Sequence, residues 1–177
     1  MDNLLDRISQ IDQDGNFKCV VDSEDKRFGL QLGSLSGGRY MIAMNGSIIA
    51  MQALTISLRY AAVRRQFAKN AKSPESLLIE YPLMKRRLIL LLAQAVVYLT
   101  GNMQAICTWD QNYKNILDPT NKVIQELHAI SSATKPKTGW FATECLKESR
   151  QALGGHGFSS YSKLGTLYND HDVNNTW

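Results

Sequence analysis

Two stretches of this chain carry residue types suited to ligand chemistry. Arg64-Arg65-Gln66-Phe67 sets guanidinium groups beside an amide and an aromatic ring. A guanidinium binds two oxyanions in a fork, and a ring offers its face to a planar heterocycle. The group therefore suits a pyrophosphate or a planar heterocycle. The same residues also read as a basic cap on a surface helix, because cations favour the negative end of the macrodipole. The second stretch is Gln151-Ala152-Leu153-Gly154-Gly155-His156-Gly157-Phe158. Its three glycines allow a sharp turn and a close approach of ligand to backbone N–H groups. It also reads as a helix stop. It is not a dinucleotide fingerprint, because it follows a helical pattern instead of a strand.

Other candidate chemistry is thinner. His128, His156 and His171 have no ligand partner at metal spacing, so no metal site is expected. Asp170 and Asp172 form a carboxylate pair, but in a polar tail where solvation or capping explains them. No Ser/His/Asp set can be assembled. Cys19, Cys107 and Cys145 cannot all pair, and none forms Cys-x-x-Cys, which argues against a disulfide scaffold or a multi-cysteine zinc site.

The 177 residues suit one domain with a sizeable core. At 44% hydrophobic and 20% charged, the composition is that of a folded protein, not a disordered one. The net charge of +4 comes from 20 basic and 16 acidic residues without a block of like charge. No nucleic-acid arm is expected. The longest apolar run, Leu88–Leu99, falls short of the ~20 residues a spanning helix needs. It reads as a core helix, and no membrane span is expected.

The elements that must position the two motifs are helices. Residues 1–33 differ from the rest: Asp12–Asn16 is turn chemistry, Phe17–Val21 is one short strand without a partner, and Asp22–Lys26 is another polar turn. Ser34 or Ser36 is expected to cap a first helix. Met41, Met44, Ile48, Met51, Leu54 and Leu58 recur at helical spacing and mark its buried face. That helix ends near Arg64-Arg65. Pro82 opens the next helix, which reaches Asn115. Asp118-Pro119 caps a third, with Val123, Leu127 and Ile130 on its buried face. Pro136 should kink or split it. Trp140, Phe141, Cys145 and Leu146 continue a helical face to Gly154-Gly155, and the tail after Ser159 is polar and turn-rich. The sum is an all-α fold, about four long helices in an antiparallel bundle, behind a short strand-like N-terminal segment.

The two motifs, taken together and in this order about ninety residues apart, resemble the acyl-CoA dehydrogenase/oxidase superfamily. Finer text is similar to its peroxisomal acyl-CoA oxidase branch. It includes Asn3-Leu4-Leu5-Asp6-Arg7, Asp14-Gly15, Arg27-Phe28-Gly29, Leu32–Arg39, Glu80-Tyr81-Pro82, His128-Ala129 with Ser132-Ala133-Thr134-Lys135, and Gly154–Phe158. The spelling looks nearest the pristanoyl-type oxidases and an oxidase-like relative. The resemblance covers nearly the whole chain.

What the resemblance implies is one piece of a longer multi-domain flavoprotein. Residues 1–33 would be the tail of a preceding β-domain, 34–158 the helical domain that packs on FAD and carries a dimer contact, and 159–177 a segment leading to a catalytic glutamate. Carried over position by position, Arg64 contacts the FAD pyrophosphate, typically of the partner subunit, with Gln66 and Phe67 beside it. Gln151, Gly154 and Gly155 match a turn that approaches the adenosine half of FAD. The implied reaction is α,β-desaturation of a fatty acyl-CoA, with O2 reoxidising the flavin, in peroxisomal fatty acid β-oxidation.

The base in the family is a glutamate in a Thr-Tyr-Glu-Gly stretch. Here Thr176 and Trp177 align with its first two places, so the glutamate is expected immediately after Trp177, and no residue present is assigned as catalytic. The chain alone is expected to be inactive. Tyr168 stands where the oxidases have Arg, Asn169 where they have Asp, Val173 where they have Pro and Ala68 where Gly is usual. These departures leave open a non-catalytic dimerisation module, and the dehydrogenase branch shares the same fold. Ser162-Lys163-Leu164 is internal and cannot act as a terminal peroxisomal signal. A helical domain separated from its β-domain is also expected to expose a contiguous apolar patch.

Overall fold

The computed structural model describes residues 9–21, 23–115 and 121–176; the side chains of residues 30–32 and 34 lie outside the description. The expected Asp118-Pro119 cap, the Asn3–Arg7 text and Trp177 also fall outside it. The elements are β1 (Ser9–Ile11), β2 (Phe17–Cys19), α1 (Glu24–Val63), α2 (Pro82–Asn112), α3 (Lys122–Ala152), α4 (Gly155–Phe158) and α5 (Leu164–Thr176). Single 3-10 turns follow α2 and precede both α2 and α5.

The predicted strand does have a partner. β1 and β2 pair antiparallel, Ser9 opposite Cys19. Asp12 builds the turn between them: its Oδ1 accepts from the N–H of Asp14 at 3.0 Å and of Asn16 at 2.8 Å. Gly15 supplies the positive φ of 83° that this turn needs. The Arg27 guanidinium lies 5.6 Å over the Phe17 ring and ties the hairpin to α1.

The first helix starts about ten residues before the expected cap. It opens after Ser23 with Glu24 and Asp25 in its first turn, where carboxylates suit the positive end of the dipole. It then runs 40 residues, about 60 Å at 1.5 Å per residue, straight through the Ser34/Ser36 position. The glycine-rich text reads locally as a break, but packing keeps it helical. Trp109 of α2 lies on Gly37, 3.3 Å from where a Cβ would stand. Tyr40 is buried and its hydroxyl donates to the Leu127 carbonyl of α3. Ser36 is buried in mid-helix, its Oγ 3.1 Å from His128 Nδ1.

The buried face of α1 overlaps the expected one only in part: Leu54 is buried, and Met51 and Leu58 pack half-buried against the core. Met41 and Ile48 are exposed. The core stripe is Ser36, Tyr40, Ala43, Ser47, Ala50, Leu54, Ser57 and Ala61, at alternating spacings of four and three. Its small side chains let α3 approach closely: a Cβ on Gly46 would lie 3.1 Å from the Thr138 carbonyl. α1 and α3 run in the same direction, as Ser36–His128 at one end and Ser149–Ser57 at the other establish. α2 runs against both, with Asn102 bonded to Ala43 and Ser47, and Arg87 to Glu148.

Pro136 does not split α3, which is one helix from Lys122 to Ala152. Thr138 Oγ1 donates to the Thr134 and Lys135 carbonyls beside the proline, and the segment packs against α1. Asn121 caps α3, accepting from the Val123 N–H at 3.1 Å. Phe141, Cys145 and Leu146 are buried as expected; Trp140 and Ile130 are exposed.

The fourth bundle member comes from the segment expected to be turns. α5 packs on α3 and α1, seating Leu164 in the core and His171 at 1% exposure. His171 Nε2 lies 2.9 Å from the Gly139 carbonyl, and Asn175 Nδ2 donates to Thr143 Oγ1 at 2.9 Å. Asp170 and Asp172 face solvent on this helix. Leu35–Val63 and Pro82–Asn115 are long and apolar enough to cross a membrane by length and composition alone. Polar Ser47, Ser57 and Asn102 within them are buried against neighbouring helices, which is the pattern of a bundle core.

Candidate functional site

The sequence motifs meet at one end of the bundle. α1 ends at Val63, and the Arg64 N–H closes it by donating to the Tyr60 carbonyl. Residues 64–67 then run extended against 76–78: Gln66 N–H donates to Ser76 O, Ser76 N–H to Phe67 O, and Leu78 N–H to Arg64 O. Arg65 Nη1 donates to the Glu75 carbonyl at 3.0 Å. Tyr81 Oη donates to the Gln66 carbonyl at 2.7 Å. The segment is thus anchored by its backbone, and its side chains are left for other work.

Phe67 adopts φ of 61°, in the left-handed region that costs a non-glycine residue about 1–2 kcal/mol. The residue is 67% exposed, so no core contact within the described residues offsets that strain. The Arg64 guanidinium is exposed and makes no hydrogen bond or ion pair among the described residues.

The glycine turn lies beside this segment. α3 ends at Ala152, Gly154 takes φ of 57°, and its N–H donates to the Gln151 carbonyl at 3.0 Å. The His156 ring stacks obliquely on Tyr60, centroids 5.6 Å apart, with Nδ1 3.3 Å from Tyr60 Oη. That contact joins the turn to the last helical turn before Arg64. Gly154 and Gly155 have nothing within 4 Å of where a Cβ would project, so their backbone is open to a ligand. Gly157 is different: a Cβ there would sit 2.0 Å from the Arg150 carbonyl oxygen. This glycine answers to packing inside the chain, not to a ligand.

Behind the turn, an open concavity of about 450 Å³ is lined by Lys147, Arg150, Gln151, Gly154, Phe158 and Tyr168 among others. Arg150 Nε donates to the Gly157 carbonyl at 3.3 Å, and its guanidinium lies 5.9 Å over the Tyr168 ring. Tyr168 thus receives a cation on its π face. With the Arg64 segment joined to the turn through Tyr60 and His156, this end of the bundle offers cations, an amide, an exposed ring and open backbone. Those groups suit a phosphate-bearing planar ligand.

Tyr60, Arg87 and Glu148 escaped sequence reasoning, because each acts across a long sequence separation and no local pattern marks it. Tyr81 is part of the Glu80-Tyr81-Pro82 text, but that text does not foretell its bond to Gln66.

Comparison with known proteins follows the same line. Residues 32–177 match the family described as acyl-CoA oxidase, C-alpha1 domain. Acyl-coenzyme A oxidase 3, peroxisomal, of Arabidopsis thaliana is 33% identical over 99% of this chain and 25% of its own length. Peroxisomal acyl-coenzyme A oxidase 3 of Homo sapiens is 30% identical over 99% of this chain and 26% of its own. Among solved structures, acyl-CoA oxidase 1 from Yarrowia lipolytica superposes with a TM-score of 0.80 at 34% identity, over 97% of this chain and 26% of that one. Acyl-CoA oxidase-2 of Caenorhabditis elegans, bound with FAD, ascaroside-CoA and ATP, gives 0.83 at 26% identity, over 97% and 25%. The chain spans about a quarter of the length of the relatives it matches.

Proposed function

Since this chain belongs to the acyl-CoA oxidase family, we propose that it is the flavin-facing helical domain of a peroxisomal, homodimeric acyl-CoA oxidase. The reaction is α,β-desaturation of a fatty acyl-CoA with O2 as electron acceptor. The observation that carries this reading is the Tyr60–His156 contact, which sets the Arg64–Phe67 segment and the glycine turn at one end of the bundle.

The residues present fit FAD. Arg64 is an exposed, permanently charged guanidinium without an intrachain partner among the described residues, and Gly154 and Gly155 leave space where any side chain would intrude. When bound, FAD supplies the hydride acceptor for the β-hydrogen of the acyl group. Arg64 offsets diphosphate charge, and its fork geometry sets orientation as well as affinity. Gln66 and Phe67, held by Tyr81 and by pairing to Ser76, close one side of the site and keep water from it. Gln151, Gly154 and Gly155 receive the adenosine half. None of these 177 residues is assigned the removal of the α-proton.

The test is titration of the chain with FAD, followed by flavin fluorescence and calorimetry. Arg64→Ala should weaken binding at least tenfold with unchanged circular dichroism. Equal affinity for wild type and variant overturns the role of Arg64. Acyl-CoA-dependent peroxide formation by this chain with added FAD overturns the absence of an assigned base.

A further inference from the structure

We propose that Arg87, held by Glu148, is a positioning residue that fixes the Gln151 amide with its NH2 outward, as a donor to an acceptor atom of the nucleotide half of the flavin. The proposal rests on the flavin-facing reading of the glycine turn.

Arg87 lies on α2, and Glu148 and Gln151 stand one turn apart on α3. Arg87 Nε donates to Glu148 Oε2 at 2.6 Å, and Arg87 Nη2 donates to Gln151 Oε1 at 3.0 Å. A guanidinium has donors only, so the Gln151 atom that faces it is the carbonyl oxygen. The usual ambiguity of amide orientation is thereby removed by chemistry. The Gln151 Nε2 group is left with two N–H bonds and no acceptor among the described residues. Both partners of the ion pair are about 30% exposed, so water screens it less than a fully surface pair.

Gln151 is fixed twice. Its backbone carbonyl accepts the Gly154 N–H and shapes the turn, while its side-chain oxygen is held from α2. It also lines the concavity that Lys147, Arg150 and Phe158 share. A released glutamine would present oxygen or NH2 with equal ease and would lose rotamer freedom on binding. The Arg87 clamp removes both costs before a ligand arrives. The group recognised is therefore an acceptor, a ring nitrogen or an oxygen of the nucleotide.

The experiment has a ligand-free arm and a binding arm. In 1H–15N spectra of the whole chain, the Gln151 side-chain pair, assigned by its loss in Gln151→Glu, should sit away from the free-glutamine position. It should move to that position in Arg87→Met. Arg87→Lys keeps a cation for Glu148 but not the fork, so it should release Gln151 while the fold remains, and it decides the matter if Arg87→Met does not fold. An unmoved Gln151 pair in a folded Arg87 variant overturns the clamp. In FAD titrations, Gln151→Glu should bind at least tenfold more weakly without a lower melting temperature, because it pairs with Arg87 but cannot donate. Arg87→Lys should weaken FAD in the wild-type background and not in Gln151→Ala; equal losses in both overturn the proposal. If wild-type chain binds no FAD, the reading of the site fails, and the amide signal still decides the role of Arg87.

Discussion

The carbonyl oxygen of Arg150 occupies the space a side chain at position 157 would need: a Cβ built on Gly157 stands 2.0 Å from it. The neighbouring Gly155 has no atom within 4 Å of its own Cβ position and no positive φ. One turn thus holds a glycine demanded by packing and another that packing leaves free. Gly157→Ala should destabilise the chain by about 1–3 kcal/mol through overpacking, a fall of several degrees in melting temperature. Gly155→Ala should leave the melting temperature unchanged and weaken FAD. Thermal unfolding of the two variants side by side checks this.

Cys145 is fully buried, and burial, reinforced by Glu144 and Glu148, pushes its thiol up to about 12. Cys107 is exposed and Cys19 half-buried. Iodoacetamide at pH 8 should modify Cys107 first and Cys145 only on unfolding, read by mass spectrometry. The sign of the pH effect follows. An unfolded thiol ionises near 9.0 while the folded one stays protonated, so above that pH the unfolded chain holds fewer protons. Stability should fall as pH rises from about 9 toward 12. Cys145→Ala should flatten that slope.

Asn102 is buried at the α1–α2 contact and donates to the Ala43 carbonyl at 3.2 Å and to Ser47 Oγ at 2.9 Å. Asn102→Ala should cost about 1–3 kcal/mol, because two buried acceptors lose a partner. The double variant with Ser47→Ala should cost less than the sum of the singles, since the hydroxyl left behind is removed too. Urea denaturation of the cycle measures the coupling.

The outer face of α2 carries Leu83, Leu90 and Val97 at spacing seven, exposed at 69%, 58% and 68%. Ile89, Val96 and Met103 form a second exposed row. Rows of this kind self-associate in water. Sedimentation should show concentration-dependent association of the chain, and Leu90→Lys with Val97→Lys should shift it toward monomer. A monomer at high concentration for wild type would count against it.

Local backbone chemistry was legible. Pro82 opens α2, α1 ends at Arg64, Gly154 stops α3, and Asp12–Asn16 turns between strands, because each feature depends on a residue's own φ or on a near neighbour. The family was legible for the same reason: its motifs are contiguous text. Patterns that depend on what lies opposite were legible only in part: Phe141, Cys145 and Leu146 are buried as their spacing predicts, but the stripe on α1 is shifted. Met41 and Ile48 are large and apolar and so drew the buried stripe to themselves, but α1 and α3 meet through alanine and serine because close helix approach favours small side chains. The polar text of α5 carries no clear amphipathic signal. Leu164 and His171 anchor it only because the core and the Gly139 carbonyl are there to receive them.

By itself, the sequence determined that this chain is helical, where most of its long helices stop, and which family its two short motifs resemble. Tertiary structure alone decided that α1 buries its small side chains, that its glycine-rich start stays helical, and that the two motifs share one end of the bundle. It also decided that Arg87 reaches Gln151. The reason is range: capping, turn and proline effects act within a few residues, while burial and side-chain pairing depend on residues tens of positions away, brought close by folding.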